Sequence, residues 1–361
     1  MATQQRGEIL FVAVPGMLGG SNRSLATLIT ALRPYVRCVL ASPETGSFRE
    51  FCLERNVADE YLSLPSGSRA KRILAALMLS VWIIRRRRRL TSIHAQALTG
   101  LNVVAPAAAL ARLPVVVRVS DPEGSRWGRL FGPLWRRMLP KLVVVPVSEI
   151  GLEAAVANGL CSLTEGHIVP NPVEPLDVVA QERQGGDDLV VGFLGGPSLR
   201  KGFDLIPAVV SNVASSVSWK LFTPARATHV PLEVLTALEK QYPVVQFVGR
   251  EVDVRRVYSQ TDIVFVPSRA ESFSRVVAES MLNGIPVVAS DILPHRLLLG
   301  EDEAGLLFRS EDPLGAAVAI DNLASDPELR ARLGAMGRVR AAAYEPDGIA
   351  RRLLPLYGIT V

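Results

Sequence analysis

The chain has 361 residues, 48% of them hydrophobic and 21% charged, with no low-complexity segment, which excludes a disordered polymer and predicts two domains with separate cores. The net charge of +5 is uneven: residues 1–177 carry 21 Lys/Arg against 13 Asp/Glu and residues 178–361 carry 19 against 22, so any attraction to an anionic partner belongs to the first half. Cys38, Cys52 and Cys161 are odd in number and far apart, which excludes a disulfide framework or a cysteine metal site and fits a reducing compartment. The first residues, Met-Ala-Thr-Gln-Gln-Arg-Gly, lack the apolar core of a signal peptide, and a cytoplasmic location is expected.

Along the first half, Glu8–Val14, Val36–Ala41, Ser92–Ala95, Pro114–Val119 and Leu142–Val147 read as strands. Between them, Ser24–Leu32, Leu74–Ile84, Leu101–Leu110 and Ile150–Ala157 read as helices. Short continuous Val/Ile runs fit buried parallel strands. After the first strand, Gly16-Met-Leu-Gly-Gly-Ser-Asn-Arg-Ser24 is glycine-rich but is not Gly-x-Gly-x-x-Gly, and no acid ends the next strand, so a dinucleotide site is disfavoured. A tight turn with Ser21 as N-cap is an equal reading of that loop. The segment Ile73–Ile84, followed by Arg85 to Arg89, has 12 apolar-rich residues. At about 1.5 Å per residue it reaches about 18 Å, short of a hydrocarbon core of roughly 30 Å. It reads as a core helix with a basic end that touches an anionic membrane surface. Arg126, Arg129, Arg136, Arg137 and Lys141 form a second basic cluster.

A Pro-, Gly- and charge-rich linker is expected over residues 173–188, dividing a domain at 1–172 from one at 189–344. The alternation then restarts, with strands at Leu189–Leu194, Val217–Phe222, Val244–Val248, Ile263–Val266 and Pro286–Ala289. Two βα series joined by a linker predict an α/β protein of two doubly wound domains facing across a cleft. Gly195-Gly-Pro-Ser-Leu-Arg-Lys-Gly202 follows a strand, and its glycines, Arg200 and Lys201 suit a phosphate near a helix N-terminus. Farther on, Glu271-Ser-Phe-Ser-Arg-Val-Val-Ala-Glu279 lies between Val264-Phe-Val-Pro-Ser268 and Gly284-Ile-Pro-Val-Val-Ala-Ser-Asp291. A strand, a Pro-Ser turn and a helix place a diphosphate beside Ser272, Phe273, Ser274 and Arg275, with carboxylates on either side that accept paired hydrogen bonds from vicinal hydroxyls.

This spacing resembles the Glu-x7-Glu motif of retaining GT-B glycosyltransferases of the group 1 or family 4 type. The resemblance is specific over residues 264–291, moderate over 192–202 and loose before 170. It implies two Rossmann-like domains, with residues 345–361 packing back on the first. It implies a nucleotide-sugar donor, with Glu271 holding the sugar and Glu279 the ribose. Lys201-Gly202 matches the family's phosphate loop, whereas its arginine position is Gly196, a charge that Arg200 would supply from another point of the loop. Gly19 and Gly20 resemble the family's first loop, between donor phosphate and acceptor, and Gly249 permits close approach of the base. Arg250 contacts base or phosphate, or is a solvated rim charge. Val169-Pro-Asn-Pro-Val-Glu174 resembles the segment at the family's interdomain crossover.

The catalytic side of the first domain departs from the family. A histidine is often found there; this chain has Arg118-Val-Ser120-Asp121. Ser120 is suited to hydrogen-bond a sugar hydroxyl and Asp121 to orient or deprotonate an acceptor hydroxyl, and His94 is the remaining imidazole on that face. No Asp-x-Asp occurs, so neither metal nor other cofactor is expected, and the leaving diphosphate is met by Lys201, Arg200 and helix dipoles. Partners are then a nucleotide sugar and a sugar or lipid-linked acceptor, with peripheral contact to the inner membrane face and no nucleic acid. A soluble secondary-metabolite acceptor, a nucleotide-sugar epimerase or hydrolase, and a non-catalytic nucleotide-sugar binder stay open.

Overall fold

The structure, a computed structural model, describes residues 7–14, 16–120, 126–176, 189–223, 232–248, 254–301 and 303–360. The chain divides into two units, Met1–Pro172 with Tyr344–Val361, and Val173–Ala343. Most of the expected linker, residues 177–188, lies outside the described residues.

The first unit is built on β1 (Glu8–Val12), β2 (Arg37–Pro43), β3 (Glu60–Leu64), β4 (Leu90–Gln96), β5 (Val115–Val119) and β6 (Leu142–Pro146). They form one parallel sheet in the order β3-β2-β1-β4-β5-β6. All five residues of β1 are buried, because helices cover both faces. On one face Leu10, Val12, Val115 and Val117 pack with helices Arg69–Arg86, Ala97–Ala111 and Arg126–Met138. On the other, Ile9, Phe11 and Val116 pack with helix Gly20–Leu32 and with Ile349, Leu353 and Tyr357 of the returning carboxyl-terminal segment. Cys38, Cys52 and Cys161 are buried free thiols.

The second unit repeats the plan with β7 (Leu189–Leu194), β8 (Val217–Phe222), β9 (Val245–Phe247), β10 (Ile263–Val266), β11 (Val287–Ser290) and β12 (Leu306–Phe308). The order is β12-β11-β10-β7-β8-β9, again parallel throughout. Its core is aromatic at the centre: Trp219 meets Phe265 edge-on with ring centroids 5.7 Å apart, and Phe265 stacks on Phe308 at 5.8 Å.

Two differences from the sequence-based expectation bear on function. Helix Arg69–Arg86 buries Ala75, Leu79 and Ile83 but leaves Ile73, Leu77 and Val81 exposed, so it is not a core helix on all sides. The helix after Glu271 begins only at Arg275, which leaves Glu271 to Ser274 in the loop that leaves β10.

Candidate functional site

In the second sheet the strand order reverses between β7 and β10. Loops from the carboxyl ends of two such strands turn to opposite faces and leave a crevice between them. Here the loops are 195–202 and 267–274, and Gly202 lets them meet. Its φ is +68°, and an added Cβ would stand 1.9 Å from the Pro267 carbonyl oxygen. Arg269 stitches the same junction. Its backbone N–H donates to the Arg200 carbonyl at 2.8 Å, and its guanidinium reaches Asp204 at 2.6 and 2.8 Å and Glu311 at 2.8 Å.

This junction delivers Lys201 to Glu271. The Lys201 ammonium donates to Glu271 Oε1, and the Ser268 hydroxyl donates to the same oxygen at 2.9 Å. Arg200 Nη1 lies 3.6 Å from Glu271 Oε2 and donates to the Ala270 carbonyl at 3.0 Å. Arg200 thus reaches the rim that Gly196 cannot supply, while a side chain at Gly196 itself would meet nothing within 4 Å. Burial pushes the Glu271 carboxyl up, but Lys201 and Ser268 outweigh it and hold the group below the ordinary carboxylate range.

Ser274 sits at the N-cap of helix Arg275–Leu282 with φ +60° and ψ 73°, a left-handed conformation that costs a non-glycine residue on the order of 1–3 kcal/mol. An N-cap serine ordinarily caps its helix with the hydroxyl, whereas Ser274 makes no such bond. Its Oγ lies 3.1 Å from His295 Nε2, and His295 Nδ1 lies 2.7 Å from the Ser290 carbonyl oxygen. A carbonyl only accepts, so Nδ1 carries the proton and Nε2 accepts from Ser274. Burial keeps this imidazole neutral, lowering its pKa to about 4. The positive end of the helix is therefore left without a serine cap or a first-turn acid. Beside it, the Ser272 hydroxyl is buried with no hydrogen-bond partner among the described residues, and Phe273 is buried.

Glu279 accepts from Arg275 Nε at 2.5 Å and from the Tyr258 hydroxyl at 2.9 Å. The expense of a carboxylate that is 8% exposed is thus met by protein groups. Gly249 and Arg250, expected on this rim, lie outside the described residues.

The first unit has its own reversal, between β1 and β4, and a directed chain of hydrogen bonds runs along it. His94 Nδ1 is 2.6 Å from the Tyr357 hydroxyl, and His94 Nε2 is 3.2 Å from Gln96 Oε1. Because an amide oxygen only accepts, Nε2 holds the proton and Tyr357 donates to Nδ1. Gln96 Nε2 donates onward to Ser21 Oγ at 2.5 Å, and Ser21 Oγ is 3.0 Å from Ser120 Oγ. Ser21 Oγ thus accepts from Gln96 and shares a hydrogen bond with Ser120 Oγ in which either hydroxyl can donate. Two expectations are corrected. Ser21 is not the N-cap, since the helix starts at Gly20 and the hydroxyl serves Gln96 and Ser120. His94 is an interior group with no exposed surface, its pKa lowered to about 3 chiefly by burial, and its ring nitrogens are taken up by Tyr357 and Gln96. Added Cβ atoms at Gly19 and Gly20 would meet nothing within 4 Å, so these positions face open space. Asp121 lies outside the described residues. Arg118 is buried and donates to the Pro170 carbonyl at 2.9 Å and Asn171 Oδ1 at 3.1 Å, which anchors the Pro-Asn-Pro segment.

The supporting residues Ser268, Arg269, Tyr258, His295 and Gln96 were not singled out by sequence reasoning. Gln96 had a signal: it lies two residues beyond His94 on a strand and so shares its face.

Comparison with known proteins bears on the fold and on family likeness. Residues 229–340 match the family described as glycosyl transferases group 1. D-inositol 3-phosphate glycosyltransferase of Xylanimonas cellulosilytica is 31% identical over 210 residues, covering 53% of this chain and 50% of the relative. The enzyme of that name from Corynebacterium urealyticum is 35% identical over 101 residues, 28% of this chain and 24% of the relative. The chain thus matches half or less of the length of these curated relatives. Among solved structures, Anabaena HepE in complex with UDP and glucose superposes with a TM-score of 0.81 at 20% identity, over 98% of this chain and 99% of that one. A glycosyltransferase from Rickettsia africae reaches 0.81 at 13% identity, over 98% of each chain. Two six-stranded parallel sheets with reversed order at β1/β4 and β7/β10, together with the structural matches, identify a GT-B fold, within which residues 229–340 are similar to the group 1 glycosyl transferases.

Proposed function

We propose that the chain moves a hexose-type sugar from a nucleoside diphosphate sugar to an acceptor hydroxyl, with retention of configuration and without a metal ion. The observation that carries this reading is Glu271, tied to Lys201 and Ser268 where the β7 and β10 loops meet, and followed by Glu279 in the next helix. An arriving diphosphate competes for Lys201 and Arg200 and for the helix end left without a serine cap. Glu271, released from its cations, then accepts from the hydroxyls of the sugar. Glu279, oriented by Arg275 and Tyr258, accepts from the ribose. The acceptor oxygen bonds to the anomeric carbon as the bond from that carbon to the diphosphate oxygen breaks, on the same face, and the acceptor hydroxyl's proton passes to the departing diphosphate oxygen. Stabilising the departing diphosphate by fixed cations and dipoles is the main catalytic contribution. Ser120, hydrogen-bonded to Ser21, and Asp121 orient the acceptor. The anionic relatives' acceptor named by D-inositol 3-phosphate glycosyltransferases and the positive first half both favour an anionic acceptor, lipid-linked for glycan assembly.

Calorimetry with UDP, GDP, ADP and dTDP tests the reading. One nucleotide, with UDP first in line from the HepE complexes, should bind tightly with EDTA present, and Lys201→Ala or Glu279→Ala should weaken it at least about tenfold, as loss of a charge-assisted contact implies. Absence of binding by every nucleotide would overturn it.

A further inference from the structure

We propose that the helix layer over one face of the first sheet is a docking surface for an anionic lipid bilayer. The inference deepens the reading of a lipid-linked acceptor, and its test does not depend on activity. Helices Arg69–Arg86, Ala97–Ala111 and Arg126–Met138 make up this layer, with the middle one packed against the other two. None of the three contains an aspartate or glutamate. In the first helix, Ala75, Leu79 and Ile83 face the sheet, while Leu77, Val81 and Ile84, 60%, 49% and 39% exposed, lie on the opposite side. Leu110 at 71%, Leu130 at 62% and Leu134 at 42% are likewise exposed on the other two helices of the layer.

A helix that packs on a sheet needs one apolar stripe; this one has a second, turned outward. Cations flank it. Lys71 and Arg72 stand at one end and Arg85, Arg87, Arg88 and Arg89 at the other, all exposed and without an ion pair among the described residues. Arg86 differs, being drawn to Glu8 at 3.5 Å and Glu60 at 2.8 Å. An apolar strip framed by unpaired cations matches the boundary of an anionic bilayer, where acyl chains lie beneath phosphate headgroups. Charge also selects against a second copy of the chain, since mating two such faces would bring arginine against arginine. No described helix is long and apolar enough to cross a membrane, so this one lies in the plane of the interface.

The full chain should sediment with vesicles of phosphatidylcholine mixed with phosphatidylglycerol, not with phosphatidylcholine alone, and salt should weaken the association. The double variants Leu77→Glu/Val81→Glu and Arg87→Glu/Arg88→Glu should each lower vesicle binding at least about tenfold, because both the apolar and the ionic contributions are needed. These positions are exposed, so circular-dichroism melts should match the wild type. No association at low salt would overturn the proposal. Loss in the arginine variant alone would overturn the apolar contact and leave simple adsorption. A dimer by light scattering that Leu77→Glu/Val81→Glu dissociates, without vesicle uptake, would overturn it in favour of self-association. Nucleotide binding measured in parallel separates failure of this surface from failure of the transferase reading.

Discussion

Ser274 is held in a conformation it would not adopt alone, and the group that holds it is His295. Without the imidazole, the Ser274 hydroxyl loses its partner in the interior, while the Ser290 carbonyl keeps only the Ile292 N–H. The hydroxyl is then free to rotate into the ordinary cap position and occupy the helix end that a diphosphate needs. His295→Ala is expected to lower thermal stability and to raise the KM for the sugar nucleotide about tenfold or more, in line with loss of a buried hydrogen bond worth about 1–3 kcal/mol. His295→Gln, which can still donate and accept, should recover much of the KM at a similar melting temperature. If both variants lose stability but bind nucleotide as the wild type does, His295 only packs.

At the level of elements, the two loops at the β7/β10 reversal work as one unit because Gly202 allows contact with Pro267. Gly202→Ala must move one loop or the other, and it also forces a left-handed φ on alanine. It should cost about 1–3 kcal/mol in urea unfolding and abolish nucleotide binding by separating Lys201 from Glu271; unchanged binding would show the loops to be independent. The spacing from Glu271 to Glu279 and the Lys-Gly pair were legible because they are local, and the Val- and Ile-rich strands because parallel strands are buried on both faces. Contacts such as Ser274 with His295, across a whole βα unit, leave no periodic trace in sequence. Other misses have local causes. β3 is a half-exposed edge strand, and helix Arg126–Met138 is broken in pattern by Gly132 and Pro133, where Gly132 packs against the Asn158 carbonyl. Composition around the circumference of helix Arg69–Arg86 cannot tell a second buried face from one left exposed.

For the whole molecule, each unit holds a neutral interior histidine, His94 with pKa lowered to about 3 and His295 to about 4. Both values lie below the ordinary 6.5, so the unfolded chain takes up protons first as pH falls. The stability they contribute is complete above about pH 6.5 and is lost as pH drops, down to about 4 for His295 and about 3 for His94, at about 1.4 kcal/mol per pH unit for each histidine. Urea midpoints should therefore fall steeply between about pH 6.5 and 5, and His295→Gln should remove about half of that slope. A flat profile would mean that these rings are hydrated. The path of the chain has a further consequence, for synthesis. Residues 344–361 complete the first unit but follow the second in sequence, and Tyr357, Leu353 and Ile349 close the core that Phe11 and Val116 begin. At about 5–20 residues per second, the roughly 170 residues of the second unit take about ten to thirty seconds to be translated. Through that interval the nascent first unit waits with one face of its sheet covered by helix Gly20–Leu32 but lacking its carboxyl-terminal cover, while the inserted second unit is free to fold ahead of the domain that was begun before it.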